Sequence, residues 1–180
     1  MSAAAVYRVY PLSSVVLYNG VTLLHFGLAT AGLAVAYSAW PLLGWTLAGV
    51  YLAFALGQMY VMMPLVVCPG CAYRAMDGAR CVSALNLVSR RLAKARPPDE
   101  FGGRAEGVLC HNNLYMAALI APLAMILPGV ILNFSILGLG MLLVVAALLA
   151  FRYFVVFKRT ACPHCAAKGR CPNAKSMGIA

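Results

Sequence analysis

Six of the seven cysteines fall into two matched triplets. Cys68-Pro69-Gly70-Cys71 is followed nine residues later by Arg80-Cys81, and Cys162-Pro163-His164-Cys165 is followed five residues later by Arg170-Cys171. Each triplet carries a glycine shortly before its arginine, Gly78 and Gly169. A turn with two thiolates three residues apart, shaped by proline and glycine, can hold one tetrahedral metal ion. The same pair suits an iron–sulfur cluster, where a cysteine followed by proline is common, or a redox dithiol. Cysteine is also a small buried apolar residue, but two repeated triplets within basic, polar segments do not match that use.

Each triplet is one donor short of a closed four-coordinate site. Cys110 and His111 stand side by side ahead of the third apolar stretch. Consecutive side chains of extended backbone point to opposite faces, so one could complete each site. The expected ligand set is therefore Cys68, Cys71, Cys81, Cys110, His111, Cys162, Cys165 and Cys171. His164, inside the second knuckle, reads as a spacer facing solvent, with a ligand role as the alternative. A basic face in the cytoplasm disfavours stable disulfides and leaves thiolates free to bind. Nearby Lys and Arg should lower the thiol pKa values further. Zinc is the first reading and an iron–sulfur cluster the second.

The elements that must position these groups follow from composition. The 180-residue chain is 63% hydrophobic and 10% charged, against about 25% charged in a soluble domain. Lipid is the expected solvent. Stretches at 14–39, 42–67, 114–132 and 134–157 each approach or exceed the roughly 20 helical residues that a hydrocarbon core requires. Pro41 separates the first pair, and the second pair should turn near Pro128, Gly129 and Asn133. The fold class is thus an all-α integral membrane protein: four transmembrane helices as two tandem helical hairpins, with a cysteine-rich cytoplasmic face. Within one membrane domain, 1–67 is the first hairpin, 68–113 a cysteine-rich loop, 114–157 the second hairpin and 158–180 a cysteine-rich tail.

The basic residues lie in the N-terminus, the loop and the tail, apart from Arg152, which is expected to snorkel to the same side. The positive-inside tendency then puts both termini in the cytoplasm, with the protein in the inner (cytoplasmic) membrane. The net charge of +10 reads as a topology signal and not as nucleic-acid binding. Two spans per copy would make the hairpins parallel repeats about an axis along the membrane normal. Tyr18 precedes the first knuckle by 50 residues and Tyr115 the second by 47.

Residues 82–96 read as an amphipathic helix, either on anionic headgroups or packed over the knuckles, and ended by Pro97-Pro98. Pro64 and Pro122 should kink the second and third spans. Gly27 with Ala31, and Gly32 with Ala36, favour close helix packing. His25 lies midway along the first span, where a polar residue is a functional-site candidate. It could contact a quinone or a shared haem, or hydrogen-bond a neighbouring helix. No nucleotide loop, nucleophile–base pair or carboxylate pair is present, so no catalysis is expected from the chain alone. Four-span thiol–quinone oxidoreductases share the size, but their cysteines act on the oxidising side. The sequence points to a metal–thiolate membrane subunit, an anchor or assembly module for other protein subunits. An iron–sulfur subunit passing electrons to or from quinone is the alternative, and a thiol-based metal carrier or thiol redox protein the third.

Overall fold

A computed structural model describes residues 5–97 and 111–179. The described residues are mostly helical and form no strand beyond one isolated bridge, Val9 with Arg80. Four helices are long and apolar enough to cross a membrane: Leu12–Ala36, Pro41–Gly70, Asn113–Leu132 and Ile136–Ala161. They are the first to fourth spans below. Each is apolar around most of its circumference, as expected of a helix surrounded by lipid and other helices. Leu42 and Ile136 are more than four-fifths exposed, at 83% and 84%. Such residues fit a lipid solvent and not a water-facing surface.

The spans differ from the expected limits in informative ways. The third runs through Pro128 to Leu132, and the turn falls at Asn133–Ser135, where the Ser135 hydroxyl accepts from the Gly138 N–H at 2.9 Å. The second and fourth change to π-helix toward their ends, over Gly57–Val67 and Arg152–Ala161; the fourth thereby runs on to Ala161, while the second continues to Gly70 as a 3-10 turn. Such wide turns are rare and gather at functional sites. Both end alike: the Cys68 N–H donates to the Met63 carbonyl, and the Cys162 N–H to the Phe157 carbonyl.

The first span packs against the other three, while the third and fourth also pack together. Its buried face carries Tyr18, Thr22, His25, Phe26, Ala29, Gly32, Leu33 and Ala36. Pro122 has no N–H for the Ala118 carbonyl, four residues back. The Tyr51 hydroxyl donates to that carbonyl at 3.0 Å, and His25 Nε2 lies 3.0 Å from the adjacent Leu119 carbonyl. In the turn before Pro128, the Tyr37 hydroxyl donates to the Met125 carbonyl at 3.0 Å. In a bilayer, where water cannot supply the missing donor, side chains from neighbouring helices must.

Small residues contribute on one face only. A Cβ on Gly129 would meet Ala36 Cβ at 2.9 Å and the Tyr37 ring at 2.8 Å, whereas one on Gly27 would meet nothing within 4 Å. Gly32 and Ala36 are buried, but Gly27 and Ala31 are exposed, so that pair does not mediate packing within the chain. Gly129→Ala is expected to destabilise the bundle by about 1–3 kcal/mol through overpacking, while Gly27→Ala should be neutral. Thermal unfolding in detergent would measure both, and equal midpoints would contradict this packing.

The expected amphipathic helix is shorter than 82–96. It spans Leu85–Leu92, starts after Ala84 at a left-handed φ of 58°, and gives way to extended backbone at Ala93 before the prolines. It packs over the first knuckle and the second span's π-helical end. Asn86 donates to the Ala79 carbonyl at 2.8 Å and accepts from the Cys81 N–H at 3.1 Å, and Arg90 donates to the Met76 carbonyl.

Candidate functional site

The two knuckles are built alike from the backbone upward. Cys68–Gly70 is a turn of 3-10 helix, and the Cys71 N–H returns to the Cys68 carbonyl at 3.1 Å. In the tail, the Cys165 N–H returns to the Cys162 carbonyl at 3.2 Å. In both, the N–H two residues beyond the second cysteine donates to its sulfur: Tyr73 to Cys71 and Ala167 to Cys165. Such N–H donors stabilise sulfur in its charged form. The glycines, by contrast, are not equivalent. Gly78 takes a left-handed φ of 68° that turns the chain back toward Arg80-Cys81, whereas Gly169 sits in the 3-10 turn Lys168–Arg170 without one.

All six triplet cysteines line a single cavity of about 190 Å³. A water molecule takes about 30 Å³ of liquid, so the space exceeds what one ion requires. Cys71 lies within electrostatic reach of Cys81, Cys165 and Cys171, and Cys165 within reach of Cys81, so the triplets face each other. No three His, Cys, Asp or Glu donors among the described residues stand close enough, as placed, to hold one ion. The sulfurs surround a volume instead of meeting at a point. All six are free thiols.

Burial raises the thiol pKa of Cys68, Cys71, Cys162 and Cys165. It pushes Cys71 and Cys162 up to about 12 and Cys165 up to about 11, with neighbouring cysteines adding to each and the N–H···S bonds partly offsetting Cys71 and Cys165. The expectation that Lys and Arg would lower these values is therefore corrected. Lys168 acts on Cys165, but as its smallest influence. At neutral pH Cys68, Cys71, Cys162 and Cys165 are therefore held as neutral thiols, and a cation that they bind must displace their protons.

The N-terminal segment joins the two knuckles. The Tyr7 N–H donates to the His164 carbonyl at 3.0 Å, the Tyr10 N–H to the Arg80 carbonyl at 2.9 Å, and the Tyr10 hydroxyl to the Ala161 carbonyl at 2.5 Å. Arg80 donates back to the Tyr10 carbonyl through Nε and a terminal nitrogen at 3.1 and 2.8 Å. Tyr10, Tyr73 and Ala79 form a small second core, with Cys71, Cys81 and Cys165 packed against it. His164 stacks on the Tyr7 ring at 4.2 Å, with Nδ1 2.8 Å from the Ala5 carbonyl. Its partly exposed ring is a spacer that packs on the N-terminal strap, outside the lining of the cavity.

Cys110 lies outside the described residues. His111 heads the helix that becomes the third span, and its side chain also lies outside what is described. His25 is fully buried with Nδ1 unpartnered among the described residues. Its bond to Leu119 is the helix-to-helix role weighed from the sequence.

Two features were missed. The strap residues Tyr7 and Tyr10 carry no motif, only two aromatics ahead of Pro11. Arg152 does not snorkel but is fully buried. The fourth span continues nine residues beyond it to Ala161, and groups inside the bundle receive it. Its guanidinium donates to Thr22 Oγ1 at 2.6 Å and to the Tyr115 hydroxyl, and lies 4.8, 5.5 and 5.1 Å from the ring centres of Tyr18, Tyr115 and Phe157. The Tyr18 and Tyr115 hydroxyls meet at 3.1 Å. Their near-equal spacing from the two knuckles was the available signal.

Compared with known protein families, curated proteins and solved structures, the chain matches none.

Proposed function

We propose that this protein is a metal–thiolate subunit of a membrane complex, serving as an anchor or assembly module. One observation carries the reading: six cysteines from two separate segments line one cavity where the second and fourth spans end. Twin N–H···S bonds and a surrounding apolar shell suit metal-bound thiolates better than reactive surface thiols. The matching π-helical ends and knuckles also support two helical hairpins related as parallel repeats. By the positive-inside tendency, the cysteine face and both termini are cytoplasmic, where partner subunits would dock.

Zinc is the simplest occupant, since it needs only protein thiolates. An iron–sulfur cluster serving quinone-linked electron transfer is the second reading. It is favoured by sulfurs that surround a volume, because a cluster supplies its own bridging sulfide. Cys110 and His111 would add donors to either centre.

Metal analysis and the visible spectrum of the anaerobically purified protein test the reading. Colourless protein with stoichiometric zinc supports the first form, and brown protein with broad visible absorption the second. Metal-free protein with Cys68–Cys71 or Cys162–Cys165 disulfides in its functional state would replace both with thiol redox chemistry.

A further inference from the structure

Arg152 is the buried group that the reading so far leaves unused. A guanidinium remains charged in any protein, and in a membrane interior that charge requires compensation. Among the described residues its partners are the Thr22, Tyr115 and Tyr18 hydroxyls and three aromatic faces, and Nε has no hydrogen-bond partner. Tyrosine hydroxyls and rings solvate a cation without neutralising it. Tyr18, Tyr115 and Phe157, the rings against which Arg152 lies, are also lining residues of the cysteine cavity. One aromatic layer therefore separates the guanidinium from the space that six sulfurs surround.

Metal binding would reverse the charge of that space. Each thiol that becomes a ligand gives up a proton and contributes one negative charge. Six thiolates around one or two divalent ions leave a net negative centre, and so do four thiolates around one such ion. An anion at the edge of the apolar bundle requires a nearby cation as much as Arg152 requires an anion.

We propose that the cysteine cavity is built for a net-anionic metal–thiolate centre, and that Arg152 is its counter-charge, acting from the membrane side through the wall formed by Tyr18, Tyr115 and Phe157. The inference rests on the metal–thiolate reading and adds to it the sign of the bound centre's charge and a residue that no ligand motif includes. It also accounts for a cation in this position: an arginine needed only for packing could be replaced by an apolar residue of similar length.

The test uses the full-length protein in detergent or nanodiscs, with Co²⁺ alone as the probe, read by sulfur-to-cobalt charge-transfer absorption. Arg152→Met should weaken Co²⁺ binding on the order of tenfold, the size expected for one unit charge acting across a single layer of side chains. Arg152→Lys, which keeps the charge, should remain within about twofold of the parent. The metal-free Arg152→Met protein should be at least as stable as the parent, since replacing a buried charge by an apolar side chain is often neutral or stabilising. The hydroxyls left behind keep partners, Tyr18 with Tyr115 at 3.1 Å and Thr22 with the Tyr18 carbonyl at 2.6 Å. Should Arg152→Met fail to assemble, the double variant Thr22→Lys/Arg152→Gln returns a cation from the facing helix and should bind Co²⁺ like the parent. Equal affinity in parent, Arg152→Met and Arg152→Lys would overturn the counter-charge role, as would a tenfold loss in the charge-relocated double variant. A parent protein with no sulfur-to-cobalt absorption would instead defeat the metal–thiolate reading itself, so the two failures are distinguishable.

Discussion

Cys68→Ser and Cys162→Ser are each expected to strip the cysteine face of nearly all its metal, not of half. The two residues belong to different triplets, 94 positions apart in the chain by their numbering, and independent sites would lose one equivalent each. The triplets share one cavity, however, and Cys71 and Cys165 stand within each other's field. A serine in either wall removes a donor from the common space. Structural zinc can contribute roughly 10–16 kcal/mol to a small domain, so the loss should loosen residues 68–97 and the tail while the four spans stay inserted. Metal content of each purified variant, with helicity from circular dichroism and protease sensitivity of the cysteine segments, would test this. Half-occupancy in both variants would point to two separate sites, each closed by Cys110 or His111.

Tyr10→Ala should have the next largest effect. Tyr10 is fully buried between the knuckles and bonds the strap to the end of the fourth span. Truncating a buried aromatic side chain costs about 3–5 kcal/mol. Here the cost falls on the small core against which Cys71, Cys81 and Cys165 pack, so the triplets should separate and metal affinity should fall. Tyr10→Phe keeps the ring and loses the bond to the Ala161 carbonyl, worth about 0.5–1.5 kcal/mol. Maleimide labelling of the metal-free protein separates the cases: fast labelling of Cys81 and Cys165 in Tyr10→Ala, near-parent rates in Tyr10→Phe. Unchanged rates in Tyr10→Ala would show that the strap does not hold the knuckles together.

The spans were legible because apolar runs are local and lipid selects for them, so composition and length find them without contacts. Their ends were less so. The sequence ends the fourth span at Phe157, but the helix reaches Ala161 by widening its turns, a change that hydrophobic patterning does not register. The third span passes through Pro128, where proline chemistry suggests a turn. Tyr37, just past the end of the first span, donates to the Met125 carbonyl in the turn before Pro128, and no local rule contains that tyrosine. Arg152 was misplaced for the same reason: near a span end, an arginine reads as snorkelling unless Thr22, Tyr18 and Tyr115 are known to surround it.

By itself, then, the sequence determined that four helices are long and apolar enough to cross a membrane and that two cysteine triplets stand at the ends of the second and fourth of them. Composition and short-range spacing carry both facts. Only the tertiary structure decided that the triplets face one cavity, that an N-terminal strap with two tyrosines ties them together, and that the buried Arg152 guanidinium packs against rings lining that cavity. Each of those depends on groups tens of residues apart in the chain. Their proximity comes from the packing of the first span against the other three, which no spacing along the sequence encodes.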